Sequence, residues 1–447
     1  MNTMYIERNQ LLTVLSEALD CVEKEVFGIT DHHAKRVAWL CIQMGQKANM
    51  SDEEISDMAI AALLHDNALN EYRMDYEHGK LKEGVSGKAH CEAGEKNMQL
   101  IPGCETLRGF VLYHHETADG SGPYGKTDKN TPLGAQLIHI ADEVDLAFAL
   151  GNCTMDSYAS IADYVNNHIG TLFSEYTANL LLSCLSQEAF HVIADEQIES
   201  LILNIKPMKI NADKGIAELF AHIIDYKSPF TKEHSIGIAK KAERMADYYG
   251  YDLEETHKLY MAGALHDIGK LLVDIEVLEK PGRLDEAEYR HIQSHAYETY
   301  RLLSKIDGFE EIRDWASYHH EKLNGFGYPF GKTADELSKE MRLLSCLDIY
   351  QALTEDRPYK AGMTHAKAIS ILSELAEKGE LDAAIIHDID SVFTDGTADT
   401  NSSKNAAPNS ALFQCPVCGH IYEGDVVPSG YVCPVCGQPE HKFYRIQ

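Results

Sequence analysis

His33, the pair His65-Asp66, His90, the pair His114-His115 and Asp142 supply imidazole nitrogens and carboxylate oxygens, the donors that suit borderline divalent ions such as iron or manganese. The same order returns as His234, His266-Asp267, His295, His319-His320 and Asp348. His33 and His65-Asp66 lie 201 residues before their counterparts, His90 and His114-His115 lie 205 before, and Asp142 lies 206 before. A drift of five residues between motifs is what loop-length changes produce, so the chain reads as two homologous halves. Six or seven donors are too many for one ion that keeps positions open for a substrate, so each half is expected to hold two divalent ions, with iron or manganese favoured. Neighbouring residues on a helix point about 100° apart, so an adjacent His-Asp or His-His pair can serve two ions, with the carboxylate bridging them. A lone histidine is usually a surface or satisfied core residue; the recurrence of the whole order is what argues for ligation.

A second constellation follows downstream. Cys415-Pro-Val-Cys418-Gly and Cys433-Pro-Val-Cys436-Gly form two C-x-x-C knuckles, the signature of a tetrathiolate site for one iron or zinc ion. A piece this small buries too little to fold without its metal. The other seven cysteines, Cys21, Cys41, Cys91, Cys104, Cys153, Cys184 and Cys346, show no paired spacing and read as small buried hydrophobes without chemistry.

The elements that must position these donors are helical. Each half is rich in helix-period apolar spacing, as in Ile236, Ala239, Ala242 and Ala246, and poor in strand-like alternation, so the fold class is all-α. The segment DSVFTDGTADTNSSKNAAPNSAL is polar and built of small residues, which marks a linker before the cysteine module. With a softer boundary at Lys206-Pro207, the expected domains are residues 1–207, 208–392, a flexible linker over 393–412, and 413–447. A chain of 447 residues exceeds what one core usually serves, in agreement with several domains. No apolar run approaches the roughly 18 residues a membrane helix needs, and MNTMYIERNQ carries no secretory pattern, so a cytoplasmic protein without membrane insertion is expected. A net charge of −30 argues against binding a nucleic-acid polymer; an anionic substrate would need locally placed cations.

The second half carries a specific resemblance, with its motifs between Phe230 and Tyr359. Phe230-Thr-Lys-Glu-His234-Ser, His266-Asp267-Ile-Gly-Lys270, Lys280-Pro-Gly, His295, His319-His320-Glu321, Gly325-Phe-Gly-Tyr328-Pro and Asp356-Arg357-Pro-Tyr resemble the HD-GYP family of metal-dependent phosphohydrolases. The resemblance spans about 180 residues and implies a helical HD domain that hydrolyses cyclic di-GMP to pGpG or onward to GMP. It places the family's metal ligands on His234, His266, Asp267, His295, His319, His320 and Asp348, and its substrate contacts on Lys270, Tyr328, Arg357 and Lys360. Lys and Arg are the donors phosphodiester oxygens need. Some members hold a third ion with a Glu where this chain has Phe230, so a two-ion site is implied, in which a bridging hydroxide attacks phosphorus in line while Asp267 holds the ions and Lys270 and Arg357 orient the diester.

The first half keeps the donor list but departs at the substrate positions: Leu69 replaces the motif lysine, Gly122-Pro123-Tyr124 exchanges Tyr and Pro, and Gly151 and Thr154 stand at the places of Arg357 and Lys360. It reads as a divergent relative that acts on another phosphoester, regulates its neighbour or serves as a metal-bound scaffold. The cysteine module resembles the rubredoxin-like ribbons at the end of rubrerythrins, which implies one iron and electron transfer. Co-occurrence on one chain raises a redox link, in which the tail, or a redox partner protein through it, keeps a di-iron phosphodiesterase reduced. The alternatives are a di-iron HD-type oxygenase, disfavoured by Lys270, Arg357 and the Gly-Tyr-Pro loop, and a non-catalytic sensor or scaffold, disfavoured by the intact ligand set.

Overall fold

The structure is a computed structural model that describes residues 5–28, 32–69, 76–77, 80–81, 87–104, 107–195, 198–203, 208–211, 214–225, 227, 234–280, 282–356, 362–394, 411–414, 421–424 and 444–445. Contacts divide the chain into two compact units, Met1–Val392 and Phe393–Gln447.

The larger unit is helical, as expected, and the helices around the donors match between its halves. The first half contains α1 (Arg8–Phe27), α2 (His33–Lys47), α3 (Asp52–Leu63), α4 (Lys88–Met98) and α5 (Leu133–Phe148). The second repeats them as α6 (Lys214–Asp225), α7 (His234–Tyr249), α8 (Leu253–Leu265) and α9 (Glu286–Leu303), then α10 (Glu310–Ser317), then α11 (Lys339–Thr354) as the counterpart of α5. Where the second half has α10, the first has a run of turns over 108–115. In each half the helix opened by the first histidine packs on the two that carry the His-Asp pair and the distant aspartate: α2 on α3 and α5, α7 on α8 and α11. Local sequence sets the helix starts. Ser51 accepts from the Glu54 amide at 3.3 Å while the Glu54 carboxylate accepts from the Ser51 amide at 2.8 Å, a reciprocal cap, and Asp252 with Glu255 and Asp285 with Glu288 repeat it. On α7 the buried stripe runs through Ile238, Ala239, Ala242, Met245 and Ala246, while Ile236 is only half-buried. The period was legible and its phase was off by one residue at the start.

The halves are tied together where each begins. Strands β1 (Tyr5–Glu7) and β2 (Lys209–Asn211), which precede α1 and lead toward α6, pair antiparallel with Ile6 opposite Ile210. Helix α1 buries Leu11, Leu12, Leu15 and Leu19, each stabilising by about 1.5–3 kcal/mol. Its polar face reaches the second half: Glu17 accepts from Arg301 at 2.7 Å and pairs with Lys305, and Glu25 pairs with Lys227 at 2.6 Å. Among the described residues no helix is long and apolar enough to cross a membrane.

The smaller unit contains an antiparallel sheet in which β3 (Ala411–Gln414) lies between β4 (Ile421–Gly424) and β5 (Tyr444–Arg445).

Candidate metal centres

Helix ends deliver most of the donors. Helix α8 stops at Leu265, so His266 and Asp267 fall on its terminal turn, as His65 and Asp66 follow α3. His65, His114, His266, His295 and His319 all place Nδ1 within 2.5–2.8 Å of the carbonyl three residues earlier. A carbonyl only accepts, so Nδ1 carries the proton and Nε2 is the free donor atom that faces the centre. The remaining first-position histidines are oriented by carboxylates: His33 Nδ1 donates to Asp145 at 2.7 Å, and His234 Nδ1 to Glu355 at 3.0 Å.

The two centres share one plan. In the second half, Asp267 turns Oδ2 toward His266 Nε2 at 3.1 Å and Oδ1 toward His295 and His319 Nε2 at 3.4 and 3.8 Å. Asp348 sets Oδ1 3.1 Å from His234 Nε2 and Oδ2 3.8 Å from His320. In the first half, Asp66 turns Oδ2 toward His65 at 3.8 Å and Oδ1 toward His90 and His114 at 3.7 and 3.5 Å, and Asp142 lies 3.1 Å from His33. Every residue of both donor lists that was expected from sequence is therefore brought into its centre. Donor atoms group within 4.8 Å as His33-His65-Asp142 and His90-Cys91-His114-His115 in the first half, and as His234-His266-Asp348, His266-Asp267-His319 and His295-His319-His320 in the second. Each half thus offers adjoining clusters, with Asp66 or Asp267 facing histidines of more than one.

These donors fit divalent ions on physical grounds. Buried His65 Nε2, Asp66 Oδ1, His114 Nε2, His266 Nε2 and Asp267 Oδ1 have no hydrogen-bond partner, and an orphaned buried polar atom costs about 1–3 kcal/mol unless something ligates it. At His295, His320 and Asp267 the protonation state favours the same conclusion. Burial pushes His295 down to about 3 and His320 to about 4, while His266 and Lys270 overcome burial to hold Asp267 well below the usual carboxylate range. Neutral imidazoles and ionised carboxylates are the forms that bind metals.

Around the donors the halves diverge. Lys270 pairs with Asp267 Oδ2, whereas Leu69 is fully buried. The ring of Tyr328 lies 4.7 Å from that of His320. Its loop is anchored by Glu321, which accepts from the amides of Phe330, Gly331 and Lys332 at 2.7–3.1 Å, and Gly327 is required because a Cβ there would lie 2.4 Å from the Lys322 nitrogen. Glu116 anchors the matching loop through the amides of Tyr124 and Lys126, and Gly122 fills the role of Gly327. The exchange of Tyr and Pro turns the ring away: Tyr124 packs edge-on against Tyr113 at 5.3 Å and reaches Glu92. Gly151 lies in the helical turn 150–152 and Thr154 caps the next one, so neither brings a cation. Arg357, Lys360, Phe230, Cys415, Cys418, Cys433 and Cys436 lie outside the described residues.

Sequence reasoning missed several first-half residues. Asp145, which orients His33, is gripped by Arg36 through Nε and Nη2 at 2.8 Å each; Gly237 and Gln351 occupy the matching places. Glu23 on α1 is buried with Oε2 unpartnered, and burial raises it to about 8 in spite of nearby His33. Cys91 was read as an inert hydrophobe, yet its Sγ lies 3.4 Å from His90 Nε2 and groups with His90, His114 and His115. Burial opposes a thiolate there, but His114 and His90 bring the thiol down to about 7. The only available sequence signal was adjacency to a donor histidine. Of the other six, Cys41, Cys104, Cys184 and Cys346 are buried, as expected, whereas Cys21 and Cys153 are only half-buried.

A helical bundle that converges a histidine, a His-Asp pair, a histidine, a His-His pair and a distant aspartate on one point is an HD-type metal centre, and it is present here twice. Comparison with known proteins agrees. Residues 30–147 and 218–385 each match an HD domain family, and residues 413–444 match the rubrerythrin, rubredoxin-like domain. The chain therefore carries two HD domains followed by a rubredoxin-like domain. It is 29% identical over 404 residues to the 3'3'-cGAMP-specific phosphodiesterase 1 of Vibrio cholerae, covering 86% of this chain and 92% of the relative. It is 39% identical over 183 residues to the 3'3'-cGAMP-specific phosphodiesterase 3 of the same organism, 40% of either chain, and 33% identical over 146 residues to a cyclic di-GMP phosphodiesterase of Pseudomonas aeruginosa, 32% of this chain and 35% of that one. The fold resembles the crystal structure of a cyclic GMP-AMP-specific phosphodiesterase of V. cholerae, with a TM-score of 0.62 and 23% identity over 87% of this chain and 98% of that one.

Proposed function

We propose that the second half, residues 208–392, hydrolyses a cyclic dinucleotide, with cyclic di-GMP giving pGpG or GMP, and that the first half, residues 1–207, holds metal ions without gripping the diester. The observation that carries this reading is the asymmetry at the centres: Lys270 sits on the bridging carboxylate and Tyr328 beside His320, where the first half has buried Leu69 and a ring turned away. The names of the relatives support the substrate class and bring 3'3'-cGAMP beside cyclic di-GMP as a substrate to assay.

The ligands are His234, His266, Asp267, His295, His319, His320 and Asp348, with His33, His65, Asp66, His90, His114, His115 and Asp142 in the first half. When bound, two divalent ions of the iron or manganese type supply an activated hydroxide at neutral pH and offset charge on the phosphoryl oxygens. Asp267 spans both donor clusters and so fixes their separation. The Lys270 ammonium, with Arg357 and Lys360 beyond the described residues, neutralises the diester and aligns it for in-line attack. The Tyr328 ring offers a wall against which the nucleotide packs.

The test is chromatography of products after incubating purified, metal-loaded protein with cyclic di-GMP and with 3'3'-cGAMP. Loss of hydrolysis in Asp267→Ala should far exceed that in Asp66→Ala; unchanged hydrolysis in Asp267→Ala would overturn the assignment. The redox reading of the tail, with Cys415, Cys418, Cys433 and Cys436 holding one iron, is tested by comparing reduced and oxidised protein with and without residues 410–447. Equal rates in all four samples remove it.

A further inference from the structure

Cys91 has no counterpart in the second half, where Ala296 follows the equivalent histidine. It stands on α4 beside His90, fully buried, and its side chain turns inward to the donor cluster rather than into an apolar layer. The distances lie close to the size that ligation requires. With metal–sulfur and metal–nitrogen bonds of about 2.3 and 2.0 Å at tetrahedral angles, donors sharing one ion lie about 3.3–3.6 Å apart. Cys91 Sγ lies 3.4 Å from His90 Nε2, and His90 Nε2 lies 3.1 Å from His115 Nε2. Asp66 Oδ1, buried and without a hydrogen-bond partner, faces the same nitrogen at 3.7 Å. The matching cluster of the second half, His295, His319 and His320, contains nitrogen donors only.

We infer that Cys91 is a thiolate ligand of the first half, forming with His90, His115 and Asp66 a mixed sulfur, nitrogen and oxygen site for a soft or borderline divalent ion such as zinc or ferrous iron. The inference rests on the reading that the first half holds metal. Sulfur ligation shifts selectivity away from magnesium and manganese, which prefer oxygen and water. The two halves of one chain then hold ions of different character: a site that binds its metal more softly and closes one coordination position with sulfur, and a nitrogen and oxygen site that keeps positions open for a diester.

The experiment uses cobalt(II) as the probe in the full-length chain carrying Cys415→Ser, Cys418→Ser, Cys433→Ser and Cys436→Ser, so that the tail adds no sulfur signal. This protein is expected to show a near-ultraviolet sulfur-to-cobalt charge-transfer band of about one thiolate, and adding Cys91→Ala is expected to abolish it. Alanine is what the other half carries at this place, so the substitution should fold; Cys91→Ser keeps the volume and should lose the band equally. Bound cobalt is counted in parallel with Asp66→Ala. A band that persists in Cys91→Ala, or no band in the parent while Asp66→Ala still lowers the cobalt count, overturns thiolate ligation and leaves the first-half metal reading standing. A cobalt count unmoved by Asp66→Ala overturns that reading itself.

Discussion

Gly269 separates a turn that carries donors from a helix that carries another. A Cβ at this position would lie 2.0 Å from the His295 carbonyl oxygen and 2.8 Å from the Thr299 nitrogen, both backbone atoms of α9. Ordinary carbon–oxygen contact is about 3.3 Å, so Gly269→Ala must part the turn and α9 by about 1 Å. Neither neighbour is the movable end of a side chain. Overpacking of this kind costs about 1–3 kcal/mol, and a shift of about 1 Å at a catalytic group can lower a rate by roughly 100-fold. Here it moves His266 and Asp267 away from His295, and it breaks the bridge in which Thr299 Oγ1 accepts from the Gly269 amide at 3.1 Å and donates to the His266 carbonyl at 3.0 Å. The expected result is a chain that folds with a lowered urea midpoint, loses bound metal in its second half and hydrolyses cyclic dinucleotide about 100-fold more slowly. Metal analysis, denaturation and product chromatography on one preparation measure all three. Parent metal content together with parent activity would refute the claim that this backbone approach sets the donor geometry. The first half solves the same contact differently: Ala68 occupies the turn, Gly94 stands opposite on α4, and Asn67 Nδ2 spans to the carbonyls of Leu64 and Gly94 at 2.8 and 3.2 Å.

Other perturbations follow from single contacts. Asp145→Asn leaves buried Arg36 without its ion partner and should destabilise the first half by about 3–5 kcal/mol, whereas Arg36→Gly combined with Asp145→Gln installs the pair used by Gly237 and Gln351 and should recover most of the loss in urea denaturation. Glu321→Ala removes the acceptor of three loop amides and should lower kcat/KM about 10–100-fold with bound metal unchanged, the equivalent of one or two charge-assisted hydrogen bonds. Lys305, Arg301 and Lys35 overcome the burial of Glu17 and lower it to about 2. A lowered carboxylate stabilises the folded state above its unfolded pKa, near 4.5, and that stability is lost as pH falls toward 2. Glu17→Gln should therefore lower the thermal midpoint at pH 7, with a difference that narrows steadily between pH 5 and 3; a gap independent of pH would show that the charge of Glu17 is not what joins the halves.

The donor lists were legible because ligation restricts residue type as well as position, and because the whole order is written twice. The exchange of Pro123 and Tyr124 was legible too, but not its outcome, since the destination of the Tyr124 ring depends on Tyr113 and Glu92 meeting it in space. Cys91 escaped because a lone cysteine in a helix has the statistics of a small apolar residue, and only the fold turns its sulfur toward His90. Glu23, Asp145 and Glu355 escaped because acidic residues are common on solvated helix faces and burial cannot be read from one such residue. The clamp of Glu17 on Arg301 and Lys305 joins residues more than 280 positions apart, a separation at which one sequence gives no register.

What the first half has kept bears on what it does. Its four changed substrate positions could drift freely once no diester had to be held, yet the apparatus behind the donors is intact: Nδ1 of His65 and His114 still meets a backbone carbonyl, Asp66 still faces both clusters, and Glu116 still anchors the loop beside His115. A scaffold freed of metal would lower its energy by replacing His65, Asp66 and His114 with apolar residues, because each orphaned buried atom costs about 1–3 kcal/mol. The chain retains all three and adds a sulfur donor at Cys91 and a buried Arg36-Asp145 pair behind His33. Retention of costly donors alongside loss of substrate contacts favours a first half selected to hold ions rather than to turn over a diester. Since Glu17 and Glu25 of its α1 seat directly on the second half, any change in the ions it holds has a short structural route to the neighbouring centre.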